Sequence, residues 1–133
     1  MCAEIQILGE VRVASPELAQ SLIALYPSIV DHACHSNGEG SFGDRIVGAL
    51  LPHVVEHLSI DILVKRFAGT ESPVFAGAQS PIFAGATRWL DRDNSLMQVR
   101  VGCTSHEPSF YFDATEAALI EAVHLMNTLL DAE

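Results

Sequence analysis

DRIVGALLPHVVEHLSIDILVKRF, residues 44–67, is the stretch on which the reading of this chain turns. Its apolar residues Ile46, Val47, Leu50, Leu51, Val54, Val55, Leu58 and Ile62 fall within roughly half of a helical wheel, so the pattern turns helical from Asp44 onward and packs one side on a core. Pro52 interrupts it. A proline lacks the N–H that a helix interior needs and disfavours a helical conformation at Leu51 before it. A break is therefore expected there, with a fresh helix starting at Pro52 and ending near Phe67, where Ala68-Gly69 closes it.

Working outward, residues 4–13 (EIQILGEVRV) alternate apolar and polar and read as a half-buried strand. Ser15 as N-cap and Pro16 at the first position open a helix that runs to about Tyr26, where Pro27 stops it. Ser28–Cys34 reads as a short strand or extended piece, followed by the glycine-bearing loop SNGEGSFG. Residues 72–87 hold a local duplication, SPVFAGAQ then SPIFAGAT, whose prolines and glycines suggest a loop or short hairpin. Its apolar content suits packing on a partner subunit or on the rim of a site. Ala86–Asp91 and Ser95–Cys103 look like paired strands across the turn DRDN, and Ser109–Phe112 like a further strand. Asp113 then caps a last helix, with Glu116 completing a capping box. The expectation is an α+β fold, one domain over 1–133, with a small, mostly antiparallel sheet and about three to four helices packed on it.

Composition narrows the function. With 49% hydrophobic and 18% charged residues in 133, the chain can bury a core and is not disordered. Seven Lys+Arg against seventeen Asp+Glu give a net charge of −10, which repels phosphate backbones and argues against nucleic acid. A cationic peptide or polymer would be attracted, although the charge also serves solubility. No apolar run approaches a membrane span, and MCAEIQILGEV has no basic region of a signal peptide. Three scattered cysteines, Cys2, Cys34 and Cys103, form no disulfide framework and fit a reducing cytoplasm.

The chemistry sits in HVVEH, residues 53–57. His53 and His57, four residues apart, lie one above the other on a helix face, with Glu56 just before the second. Two imidazoles so spaced can grip one divalent ion, Zn2+ above others, and the glutamate can take a proton from a water that the ion activates. The order is the inverse of the HExxH of zinc peptidases. His53 falls in the first turn, where the helix dipole favours the neutral ring a metal needs. Both histidines are expected at the edge of the apolar stripe, neither buried nor fully in water. The competing reading is two hydrogen-bonded histidines on an ordinary helix. Asp61, one turn on, projects into the apolar half and needs a partner. It either orients an imidazole by accepting its second N–H or binds the ion itself, and the orienting role is the expectation. A third ligand must come from His32-Ala33-Cys34-His35. In an extended segment either Cys34 points at the site, or His32 or His35 does. A thiolate suits zinc best on softness, whereas a lone cysteine often serves as a small buried hydrophobe. Arg88 and Arg45 are candidates for binding a substrate carboxylate, and His106 and His124 are expected at the surface.

From Tyr26 to Gly69 the sequence resembles the N-terminal domain of cyanophycin synthetase. That family has an acidic-His-x-Cys-Ser segment, a Gly-Gly-Phe turn and a helix reading Gly-His-Val-(Val/Leu/Ile)-Glu-His-Val-x-x-Glu-Leu. The matching positions are Asp31, His32, Cys34, Phe42, Arg45, His53, Val54, Glu56, His57 and Asp61, with GATR at 85–88 similar to the family's Gly-x-Thr-Arg element. The likeness covers roughly residues 25–131. Pro52 stands where the family has glycine, His35 where it has serine, and the 72–87 duplication has no counterpart.

The family's domain binds cyanophycin, an aspartate-backbone polymer with arginine side chains, and in some members carries a metal-dependent hydrolytic site. The resemblance implies Glu56 as acid/base, His53, His57 and Cys34 as metal ligands, and Arg88 as a substrate contact. No ATP-grasp or Mur-ligase-like segment is present in these 133 residues, so synthetase activity is not expected. Three readings follow. The first is a zinc-dependent hydrolase of a peptide or amide bond, acting on a peptide or arginine-bearing polymer. The second is a non-catalytic substrate-binding or oligomerisation module, forming a homo-oligomer through the apolar duplication. The third is a closed structural zinc site with His32 as fourth ligand.

Overall fold

The computed structural model describes residues 1–9, 12–34, 40–67, 81–105 and 107–132. Over them the chain is α+β, with a three-stranded antiparallel sheet and three α-helices. Strand β1 (Cys2–Gln6) is followed by helix α1 (Pro16–Leu25) and the central helix α2 (Leu51–Phe67). The hairpin of β2 (Phe83–Asp91) and β3 (Leu96–Cys103) comes next, and helix α3 (Phe112–Ala132) follows it. The sheet order is β1-β3-β2, so β3 is the middle strand. Among the described residues no helix is long and apolar enough to cross a membrane.

Local chemistry explains most boundaries. Ser15 caps α1 by accepting from the Leu18 N–H at 3.0 Å, with Pro16 at the first position, as expected. Helix α2 begins at Leu51, within one residue of the expected start. The segment before it departs from expectation, because Asp44–Leu50 is not a helix. A 3-10 turn, Phe42–Asp44, leads into irregular backbone in which Gly48 adopts φ +85°, a left-handed conformation that a helix cannot contain. Ala14 and Leu51 hold this segment by backbone bonds to Ala49 and Arg12.

Five further expectations are corrected. The first strand is shorter than 4–13: β1 stops at Gln6, which pairs with Leu96, the first residue of β3, so no partner strand continues beyond it. Ser28–Cys34 is not a strand. Pro27 pre-sets a 3-10 turn over Pro27–Asp31 that turns Ile29 into the core, and only Ala33 makes a bridge, to Ser41. Ser109–Phe112 is likewise a 3-10 turn, Pro108–Tyr111, running directly into α3. Its cap is the Glu107 side chain, which accepts from Ser109, so Asp113 lies inside the first turn of α3 instead of capping it. Finally, the second copy of the duplication is not a loop. From Phe83 it forms the start of β2, while residues 72–80 lie outside the described residues.

Helix α2 packs on β2 and β3 with one side and on α3 with another. Eleven of its 17 residues are buried, so it is an internal helix and not a surface helix with one apolar stripe. At its far end Phe67, Phe83 and Tyr111 form an aromatic cluster that ties α2, β2 and the 3-10 turn before α3 together, with Tyr111 edge-on to both phenylalanines.

Candidate metal centre

Because the first turns of α2 run beneath β2, the HVVEH segment faces a cleft of about 410 Å³ walled by Cys34, His53, Glu56, His57, Thr87 and Trp89. Two elements supply its chemistry. The helix contributes His53, Glu56 and His57, and the segment after the Pro27–Asp31 turn contributes Cys34, held where Cys34 N–H bonds the Gly40 carbonyl and the Arg45 guanidinium bonds the Cys34 carbonyl. The Nε2 atoms of His53 and His57 are 3.2 Å apart, and Cys34 Sγ is 3.7 Å from His53 Nε2. One ligand atom from each of the three lies within 4.8 Å of the others, so this group could hold a metal ion. Two nitrogen lone pairs and a sulfur converging on one point are a costly arrangement without a proton or a cation between them.

The rings are held in place. Phe42 stacks face to face on His57 with centroids 3.9 Å apart and planes 13° off parallel. His57 is 4% exposed, more deeply placed than the expected stripe edge, because α2 is covered on several sides; His53 is half-buried. Burial is the main reason the His57 imidazolium is disfavoured, followed by repulsion from His53 and His32, and its pKa is pushed down to about 3. Burial also pushes the pKa of His53 down. Both rings are therefore neutral at physiological pH.

Glu56, 5% exposed, has its carboxylate pKa pushed up by burial, against the opposing pull of the Thr87 hydroxyl and His32. Thr87 Oγ1 donates to Glu56 Oε1 at 2.6 Å, which leaves Oε2 on the side of His57 Nε2, 3.9 Å away. The strand comes this close only because residue 85 is glycine: a Cβ there would stand 2.6 Å from the Arg100 carbonyl oxygen and 2.9 Å from Glu56 Cγ. Gly85 and Thr87 thus explain two letters of GATR. The fourth, Arg88, also borders the cleft; it is exposed, and its Nε donates to Gln98 Oε1 at 3.0 Å.

His32 and Asp61 stand behind the ligands. His32 Nδ1 is 3.2 Å from His57 Nδ1, and His32 Nε2 is 2.9 Å from Asp61 Oδ1, which also accepts from the Ser28 hydroxyl at 2.8 Å. With both ring nitrogens of His32 engaged in this way, the closed four-ligand site with His32 loses its fourth ligand. His35 and His106 lie outside the described residues.

A family model described as the cyanophycin synthase-like N-terminal domain matches residues 4–130, nearly the whole chain. The chain belongs to that family. No curated protein and no solved structure matches it. As a cyanophycin synthase-like domain it carries its His/Cys/His cluster on the segments where the resemblance was densest, the approach to Cys34 and the first turns of α2.

Sequence reasoning missed three residues that shape the site. Thr87 had a usable signal, since it sits two places after Gly85 on a strand whose Phe83, Gly85 and Thr87 share one face. Phe42 was marked only as a family match, with no role. Ser28 carried no signal, because its partner Asp61 is 33 residues away.

Proposed function

We propose that this domain is a zinc-dependent hydrolase of peptide or amide bonds, with Glu56 as general base and Cys34, His53 and His57 as the metal ligands. The supporting observation is the spacing of the three ligand atoms. Tetrahedral zinc with Zn–N near 2.05 Å and Zn–S near 2.3 Å implies about 3.3 Å between two nitrogens and about 3.6 Å between nitrogen and sulfur. The His53–His57 and Cys34–His53 separations are 3.2 Å and 3.7 Å, and all three ligand atoms lie within 4.8 Å of one another. A soft thiolate with two imidazoles is a donor set suited to zinc, and three protein ligands beside an open cleft are the pattern of a catalytic site rather than a closed structural one.

When bound, zinc supplies Lewis acidity: it polarises the scissile carbonyl and lowers the pKa of a water to about 7. The chain's own residues do the rest. Glu56 Oε2, on the His57 side, accepts the proton of the attacking water while Thr87 holds Oε1. The same carboxyl returns that proton to the leaving amine as the carbon–nitrogen bond breaks, so water is consumed and a carboxylate and an amine are released. Burial keeps the Glu56 pKa above its ordinary value, which favours this two-way traffic. Substrate choice follows from charge and family: a net charge of −10 favours a cationic chain, and a cyanophycin-like, arginine-bearing polymer fits both.

The test is Glu56→Gln in zinc-loaded protein, with release of new amino groups from such a polymer and from arginine-rich peptides as the readout. Turnover is expected to fall by about 10²–10⁴-fold, with one equivalent of zinc retained. Unchanged turnover would rule out Glu56 as the base. If the unaltered protein binds the polymer without cutting it, the domain is a binding module.

A further inference from the structure

We propose that Asp61 and His32 form a positioning pair that reaches the metal centre through His57, fixing the tautomer of that ring and strengthening its hold on the ion. The proposal rests on the hydrolase reading's ligand set. Its geometry is a chain of three hydrogen-bonded groups from two parts of the sequence, helix α2 and the segment after the Pro27–Asp31 turn. Asp61 Oδ1 meets His32 Nε2 at 2.9 Å, His32 Nδ1 meets His57 Nδ1 at 3.2 Å, and His57 Nε2 faces His53 Nε2.

With His32 neutral, proton placement along this chain has one consistent solution. Asp61, as a carboxylate, can only accept, so His32 carries its proton on Nε2. A neutral His32 then has a bare Nδ1, which must receive a hydrogen bond. Its partner, His57 Nδ1, therefore carries the proton and donates, and His57 Nε2 is left bare toward His53 and Cys34. That is the nitrogen a metal needs. The carboxylate selects, two rings away, which face of His57 can ligate.

The burial of Asp61 gives a second, independent reason. It is 1% exposed, its Oδ2 has no hydrogen-bond partner, and among the described residues the one ionisable side chain it bonds is His32. Its polar contacts are an imidazole and the Ser28 hydroxyl, both on Oδ1. A buried negative charge held by two such donors is costly in isolation. A divalent cation beyond the two rings offsets it, and the carboxylate in turn makes His57 a more basic ligand.

Two measurements test this. On the unaltered protein without metal, long-range proton–nitrogen spectra of the imidazoles should show His57 protonated at Nδ1 and His32 at Nε2. On Asp61→Asn, which keeps the shape and removes the charge, zinc affinity measured against a chromophoric chelator should fall about 10–100-fold. A purely structural Asp61 would change thermal stability and leave the tautomer and the affinity alone. His57 protonated at Nε2, or an unchanged affinity in a folded Asp61→Asn protein, overturns the positioning role while leaving the hydrolase reading intact. Should Asp61→Asn fail to fold, the spectra of the unaltered protein decide alone. Failure of the unaltered protein to bind zinc overturns both.

Discussion

Helices α2 and α3 lie against one another and spend their burial differently. Helix α3 buries five of its 21 residues, Thr115, Ala118, Leu119, Ala122 and Met126, at three- and four-residue spacing along one stripe, and leaves Ile120 62% exposed. Its single buried polar group, the Thr115 hydroxyl, is satisfied by the Tyr111 carbonyl one turn back. Helix α2 is buried almost all round and takes Glu56, His57, Ser59 and Asp61 inside with it. Within the helix itself, Ser59 is satisfied at the Val55 carbonyl and His57 Nε2 meets His53 Nε2. Glu56 is met by Thr87 of β2, His57 by His32 and Asp61 by Ser28 and His32. A helix whose buried polar groups find partners on other elements is built for a site. One whose buried side chains are apolar and striped is built to cover it.

This contrast makes substitutions on the two helices separable. The largest expected effect is Glu56→Gln, whose loss of turnover corresponds to about 3–5 kcal/mol of transition-state stabilisation. Its denaturation midpoint should move far less, because glutamine keeps a hydrogen-bonding partner for Thr87. Leu119→Ala on α3, 4% exposed, should do the reverse: a loss of about 2–4 kcal/mol by chemical denaturation, with zinc stoichiometry unchanged. If Leu119→Ala lost its zinc while still folded, the division of labour between the two helices would be wrong.

The smallest effect is set by pH. The folded-state pKa of His57 is depressed to about 3, below the ordinary 6.5. Above pH 6.5 neither folded nor unfolded chain protonates this ring, and its contribution to stability is fully present. As pH falls below 6.5 the unfolded chain takes up a proton that the folded one refuses. Stability of the metal-free protein then declines by up to about 1.4 kcal/mol per unit. Glu56, with its raised pKa, works in the opposite direction, so the comparison to make is unaltered protein against His57→Leu at pH 7 and pH 5. Less sensitivity to acid is expected in His57→Leu, and equal sensitivity would contradict the burial of that ring.

Legibility in the sequence followed the range of the interactions. Ser15-Pro16 and Pro52 announced helix starts because caps and proline act within one turn. The DRDN turn marked the hairpin because Asp91 bonds Asp93 and Asn94 locally. The His53/Glu56/His57 trio was legible from helical spacing. The strand Phe83–Asp91 was half hidden, since Phe83-Ala84-Gly85 reads as loop until α2 is known to press on Gly85. Ser28–Cys34 reads as a strand or extended piece and Ser109–Phe112 as a strand, because apolar residues in a short run resemble one. In both, the leading proline starts a tight turn instead. Residues alone left Cys34 and the neighbouring histidines open as third ligand. The choice depends on the Ala33–Ser41 bridge and the Arg45 bond that position Cys34, both long in sequence.

The most direct test is anomalous scattering at the zinc edge from crystals grown with the metal. The expected result is one peak per chain, about 2.0–2.1 Å from Nε2 of both His53 and His57 and about 2.3 Å from Cys34 Sγ, with a further coordination position open to the cleft. A map with no peak among these atoms, or with Cys34 turned away from the two imidazoles, would contradict a metal centre on α2.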